Sequence, residues 1–115
     1  LVIDPGDVSA LAEFVARRRL DGGPRARLLM QYWVGETLMP NEASERLGLA
    51  MGIPTALAGA DASGIATLWG YDVERWGLST GTSAHESFWS IPEAQEQAAE
   101  FLRSHGTVVT DPLAP

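Results

Sequence analysis

The stretch Arg27-Leu28-Leu29-Met30-Gln31-Tyr32-Trp33-Val34-Gly35-Glu36-Thr37-Leu38-Met39-Pro40-Asn41 decides how this chain is read. From 28 to 34 it is apolar except for Gln31, and it stops abruptly at Gly35-Glu36. A strand covered on both faces of a parallel sheet has this composition, because neither face turns to water. A short buried helix is the competing reading. The aromatic pair Tyr32-Trp33 and the glycine stop favour the strand. Glu36 then stands just past the strand's carboxyl end, on a short loop closed by Pro40-Asn41.

Upstream, Asp7 is placed to cap a helix over 8–20. Val8, Leu11, Ala12 and Val15 fall at helical spacing with Phe14 beside them, and Asp21-Gly22-Gly23-Pro24 ends the pattern. Arg17-Arg18-Arg19 at that helix's end complements its dipole. Downstream, Asn41 reads as the cap of a helix over 42–51, with Glu42 and Glu45 in its first turns and Gly52 and Pro54 closing it. Residues 55–63 read as a small-residue linker. A second strand is expected over 65–71, then an irregular Gly/Ser/Thr-rich segment carrying His85. Pro92 opens a last helix that Gly106 ends, and His105 beside that end is read as structural. Residues 107–110 are expected to form a short edge strand or tail, and 111–115 to be loosely ordered.

The composition narrows the function classes. The chain has 115 residues, a formal net charge of −7 and 45% apolar residues, which fits one small domain or part of a larger one. The negative charge argues against a nucleic-acid groove or an anionic membrane surface. No apolar run approaches the ~20 residues that span a bilayer. Cysteine is absent, which excludes disulfides and thiolate metal sites. Two histidines with scattered carboxylates give no metal-ligand spacing, and no glycine-rich loop follows a strand as a nucleotide site requires. No cofactor is therefore expected. The chain starts at Leu1 rather than Met, which reads as a processed end.

Two buried-type strands and three helices do not complete a sheet, since such strands need neighbours on both edges. Four Trp, two Tyr and three Phe also exceed what so short a chain buries alone. The expected fold is therefore α/β, incomplete on its own, with residues 1–115 forming the C-terminal segment of a larger domain.

Parallel strands bring their carboxyl ends to one edge, where open α/β sheets bind ligands. Glu36 after the first strand and His85 after the second emerge there side by side. A carboxylate on one ring nitrogen holds the tautomer and stabilises the charged imidazole, which frees the other nitrogen to take a proton from a hydroxyl. This order of elements resembles the C-terminal part of α/β-hydrolase fold enzymes, in which the triad runs serine, acid, histidine. More narrowly it is similar to bacterial lipases and esterases, where a Gly-Asp-Thr-x-x-Pro-Asn type loop follows the strand. Here that loop is Gly35-Glu36-Thr37-Leu38-Met39-Pro40-Asn41, and Ser83-Ala84-His85-Glu86 stands at the histidine position. The resemblance covers residues 4–109 and departs from the family at Glu36, where Asp is usual. Asp72, at the end of the second strand, is the alternative acid.

The resemblance implies a carboxylic-ester hydrolase acting on a hydrophobic ester. His85 and Glu36 are its base and acid, and Trp76 and Trp89, flanking the histidine loop, are candidates for substrate contact. The nucleophile serine and oxyanion hole belong to a companion chain or to a missing N-terminal part. The resemblance also implies export to the periplasm or medium. Gly77-Leu78-Ser79-Thr80-Gly81 fits G-x-S-x-G but lacks the strand-to-helix turn of a nucleophile elbow and is read as chance. The alternative reading is a non-catalytic acidic α/β interaction module.

Overall fold

Among the described residues three strands form, and all run parallel: β1 (Met30–Val34), β2 (Thr55–Leu57) and β3 (Leu68–Asp72), in the order β1-β3-β2. The computed structural model describes residues 12, 14, 22–24, 26–59, 68–78, 85 and 87–113, with Trp89 described in its backbone only. Helices α1 (Asn41–Met51) and α2 (Pro92–Arg103) and a 3-10 turn (Phe88–Ser90) complete the described elements. The described residues thus form a small α/β domain with a three-stranded parallel sheet and two helices. Among the described residues no helix is long and apolar enough to cross a membrane. The helix expected over 8–20, apart from residues 12 and 14, and the start of the strand expected at 65 lie outside the described residues.

The sheet differs from the expected pair of strands. After α1 the chain does not go straight to the second expected strand. It first lays Thr55–Leu57 along the far edge, and β3 then inserts between β1 and β2. Residues 55–57 escape notice because three residues at an edge, two of them exposed, carry no hydrophobic period to read.

Strand alternation sorts the side chains onto two faces. Tyr32, Leu68 and Gly70 face α1, where Gly48 lets the helix close onto Leu68 and the Tyr32 hydroxyl meets Glu45 at 3.5 Å. Gln31, Trp33, Trp69 and Tyr71 lie on the opposite face. There Trp33, Trp69, Tyr71, Val73, Ile91, Ala94 and Val109 form the core beneath α2. Gly70 sits at the centre. A Cβ there would lie 2.7 Å from Val34, 2.8 Å from Leu57 and 3.2 Å from Tyr32, so the three strands close over a position without a side chain.

Gln31, the polar interruption of the apolar run, belongs to a buried network. Its amide donates to the Ala94 carbonyl at 2.8 Å and to Gln97 Oε1 at 2.9 Å. The Tyr71 hydroxyl donates to the same Gln97 oxygen at 2.9 Å, and the Gln97 amide donates to the Thr110 carbonyl at 2.8 Å. Buried polar groups persist where every partner is supplied, and this set ties strand, helix and C-terminal segment together. Over 107–113 that segment is consequently neither an edge strand nor loose, and 114–115 lie outside the described residues. Val109 is core, Asp111 accepts from the Gly59 N–H through both oxygens at 2.8 and 2.9 Å, and Leu113 packs on the core. His105 lies beyond the helix, at φ +54°, in the turn whose Gly106 N–H returns to the Phe101 carbonyl.

Replacing Gly70 by Ala should cost about 1–3 kcal/mol through overpacking, read as a lower denaturation midpoint at unchanged slope. A second expectation concerns alkaline pH. Burial, aided by Asp111 and Glu93 and opposed by the Gln31 hydrogen bond, holds the Tyr71 phenol well above its ordinary value of 10.0. Burial also raises Tyr32, with Glu45 adding to it. A raised folded-state value stabilises the protein fully below the unfolded value and is lost as pH climbs towards the folded one. The chain has no Lys or Cys to titrate in the same range. Stability should therefore fall from about pH 10 upward, with a shallower fall in Tyr71→Phe; a flat profile to about pH 12 would contradict the assignment.

Candidate active site

The acid loop is built by three local devices. Gly35 adopts φ +90°, a left-handed turn that reverses the chain where β1 ends. Asn41 does not cap α1; Pro40 holds that position, with no side-chain cap bond. The Asn41 amide instead reaches back to β1, donating to the Trp33 carbonyl at 2.5 Å and accepting from the Gly35 N–H at 2.9 Å. Between these anchors the loop curls inward until Glu36 is only 8% exposed. Glu36 Oε1 accepts the Met39 N–H at 2.9 Å.

The same oxygen lies 3.1 Å from His85 Nδ1. A carboxylate can only accept, so Nδ1 carries the proton in this contact and Nε2 is left free. Nε2 has no partner among the described residues, and the His85 side chain is 41% exposed against 5% for that of Glu36. A buried carboxylate behind an imidazole can hold the ring so that its second nitrogen is able to accept a proton from a hydroxyl placed against it. Asp72, the alternative acid, is exposed at the end of β3 and accepts the Glu74 N–H at 2.9 Å, a turn-closing role.

A cavity of about 210 Å³ adjoins the pair, lined by Gln31, Tyr32, Trp33, Met39, Ser44 and Phe88 together with Glu36 and His85. Trp33 and Phe88 stack at 4.6 Å, forming an apolar wall. Trp33 is 2% exposed, and its indole N–H has no hydrogen-bond partner among the described residues. Trp76 packs elsewhere: its ring lies 6.0 Å from Trp33 and 5.2 Å from Tyr71, it is only half-buried against the core, and it is not among the cavity's lining residues. For Trp89 the side chain lies outside the described residues, as does Ser79. Sequence reading missed Phe88, Tyr32 and Ser44. Phe88 had the clearest signal, an aromatic three positions after His85. Among the described residues no three His, Asp or Glu side chains converge as a metal site requires.

Comparison of the chain with known protein families, with curated proteins and with solved structures finds no match in any of the three.

The hydrogen bond to Glu36 predicts the Nδ1–H tautomer of neutral His85. Ring 15N shifts should show Nδ1 protonated and Nε2 bare. In Glu36→Gln, whose amide presents either a donor or an acceptor, the preference should fade. The same tautomer ratio in both proteins would mean that Glu36 does not orient the ring.

Proposed function

We propose that this chain supplies the acid and base of a serine-dependent carboxylic-ester hydrolase of α/β-hydrolase type, with the serine and oxyanion hole on another polypeptide segment. The observation that carries this reading is the buried Glu36 carboxylate 3.1 Å from Nδ1 of a half-exposed His85, beyond the carboxyl ends of adjacent parallel strands. In the reaction, His85 Nε2 takes the proton of the serine hydroxyl as its oxygen attacks the ester carbonyl. The protonated ring then gives that proton to the departing alcohol, leaving an acyl-serine. Water, deprotonated by the same nitrogen, releases the acid and restores the serine. Glu36 stays ionised throughout and offsets the imidazolium charge at each step.

The walls of the cavity favour a hydrophobic ester. Trp33, Phe88 and Met39 offer apolar contact, while Ser44 and the Tyr32 hydroxyl are the nearby polar groups. Trp89 beside Phe88 keeps its candidacy as a substrate contact from the sequence. Trp76 is the weaker candidate, because its ring is taken up by the core. Export rests on the resemblance alone.

Intact mass spectrometry of the native preparation, before and after a fluorophosphonate ester, tests the reading. A second polypeptide gaining one adduct while this chain gains none is the expected result. In that preparation His85→Ala should lower turnover by about 10³-fold or more with an unchanged fold. Full activity in the variant overturns the role of His85. A folded, unlabelled chain alone returns the interaction-module reading, and an adduct at Ser79 returns the local G-x-S-x-G motif.

A further inference from the structure

The last residues of all three strands meet in a second cavity. Val34, Leu57 and Asp72 end β1, β2 and β3, and with Gly70, Gly59 and Arg75 they line a space of about 250 Å³. Open α/β sheets take their ligands outside these ends. This cavity shares no lining residue with that of Glu36 and His85. Its floor is apolar. Val34 and Leu57 close over Gly70, where a Cβ would lie 2.7 and 2.8 Å from them. Leu57 is still 49% exposed, so an apolar group seated there takes out of water a surface that the fold leaves wet.

The rim carries one charge of each sign. Asp72 and Arg75 belong to one turn, which the Arg75 N–H closes on the Asp72 carbonyl at 3.1 Å. Acid and base three positions apart are close enough to pair, yet no ion pair joins these two. Each is held by something else. Asp72 Oδ1 accepts the Glu74 N–H at 2.9 Å. The Arg75 guanidinium lies against the bare face of Gly59, where a Cβ would collide with Nη1 and lie 3.0 and 3.1 Å from Cζ and Nη2. Gly59 is itself fixed, at φ +83° and with its N–H on both Asp111 oxygens at 2.8 and 2.9 Å. Only glycine suits this seat, for its left-handed backbone and for the room that the guanidinium takes.

We propose that this cavity binds a free α-amino acid with an aliphatic side chain. Its carboxylate meets the Arg75 guanidinium, whose planar fork matches a carboxylate. Its ammonium donates to Asp72, and its side chain lies over Val34, Leu57 and Gly70. A plain anion meets the charge of Asp72 and a plain cation that of Arg75, whereas a zwitterion satisfies both. The space is smaller than the about 300–1,000 Å³ of pockets that bury drug-sized ligands, which fits a ligand of amino-acid size. The site stands apart from the hydrolase reading and needs neither Glu36 nor His85.

Amide proton–nitrogen spectra of the native protein test this during titration with L-leucine and with two analogues. Isocaproate is leucine without the ammonium, and isoamylamine is leucine without the carboxylate. L-Leucine should give saturable shifts of the Gly59, Gly70 and Arg75 amides. Each analogue should bind about tenfold more weakly, because it gives up one charge-assisted contact. Arg75→Gln should weaken L-leucine by about the same tenfold and leave isoamylamine no weaker, and Asp72→Asn should do the same with isocaproate spared. Both side chains are exposed, so the variants keep the fold, which the unshifted remainder of the spectrum checks. Isocaproate binding as tightly as L-leucine overturns the zwitterion site in favour of a simple anion site. Undiminished L-leucine binding in Arg75→Gln, or no saturable shift at these amides, overturns the site altogether.

Discussion

The two hydrogen bonds of the Asn41 side chain hold this site together. One amide ties the Trp33 carbonyl, one residue before the end of β1, to the Gly35 N–H that opens the loop, six positions before itself in sequence. With both ends pinned, the five residues between have little choice of path. Gly35 supplies the left-handed turn, and the Met39 N–H closes on Glu36. A carboxylate with one exposed face would otherwise turn to water, because burying an ion without partners costs far more than a neutral group. The loop removes that option by supplying a backbone N–H, and the imidazole supplies a second donor. The charge is buried because its partners are built around it.

The sheet brings the carboxyl ends of β1 and β3 to one level. Trp33 and Tyr71 are register partners, as are Val34 and Asp72, so β1 and β3 end level with each other. Gly70 permits this closeness. With no side chain at the centre of the α1 face, Tyr32, Val34 and Leu57 close over it. On the other face the Gln31–Gln97–Tyr71 bonds fix the sliding position of β1 against α2. Polar bonds have narrow distance and angle optima, whereas apolar contacts tolerate sliding. The network therefore sets register where the aromatic core alone would leave it soft.

Much of this was legible in the sequence, and the parts that were not share a cause. The apolar runs around Tyr32-Trp33 and Leu68-Trp69 announced β1 and β3, and the Pro92 and Gly52 signals placed helix ends, because these depend on local pattern. The proximity of Glu36 and His85 followed from strand order and the common edge of parallel strands. Thr55–Leu57 was invisible: three residues cannot display a period, and their strand character comes from β3 beside them. Asn41 was read as a cap because Asn before a helix usually is one; its actual partners lie on β1 and appear only when strand and helix are placed together. Gln31 was seen as an interruption, and its meaning lay 63 and 66 positions away in Ala94 and Gln97. The ordered C-terminal segment has the same explanation, since Thr110 and Asp111 are held by Gln97 and Gly59.

β1 therefore serves the pair from both of its edges. Its inner edge pairs with β3 and fixes the level at which the two strands end. On its outer edge the Trp33 carbonyl and the Gly35 N–H are held by Asn41, and these bonds set the loop that carries Glu36. The carboxylate is thus referenced to the backbone of one strand and not to flexible side chains. A hydrogen bond to an imidazole needs heavy atoms within about 3 Å, and an error of about 1 Å would lose it. A backbone ladder repeats at about 3.3 Å per residue and admits no intermediate settings. The carboxylate inherits that discreteness from β1, which is why a loop of five residues can hold it in one place.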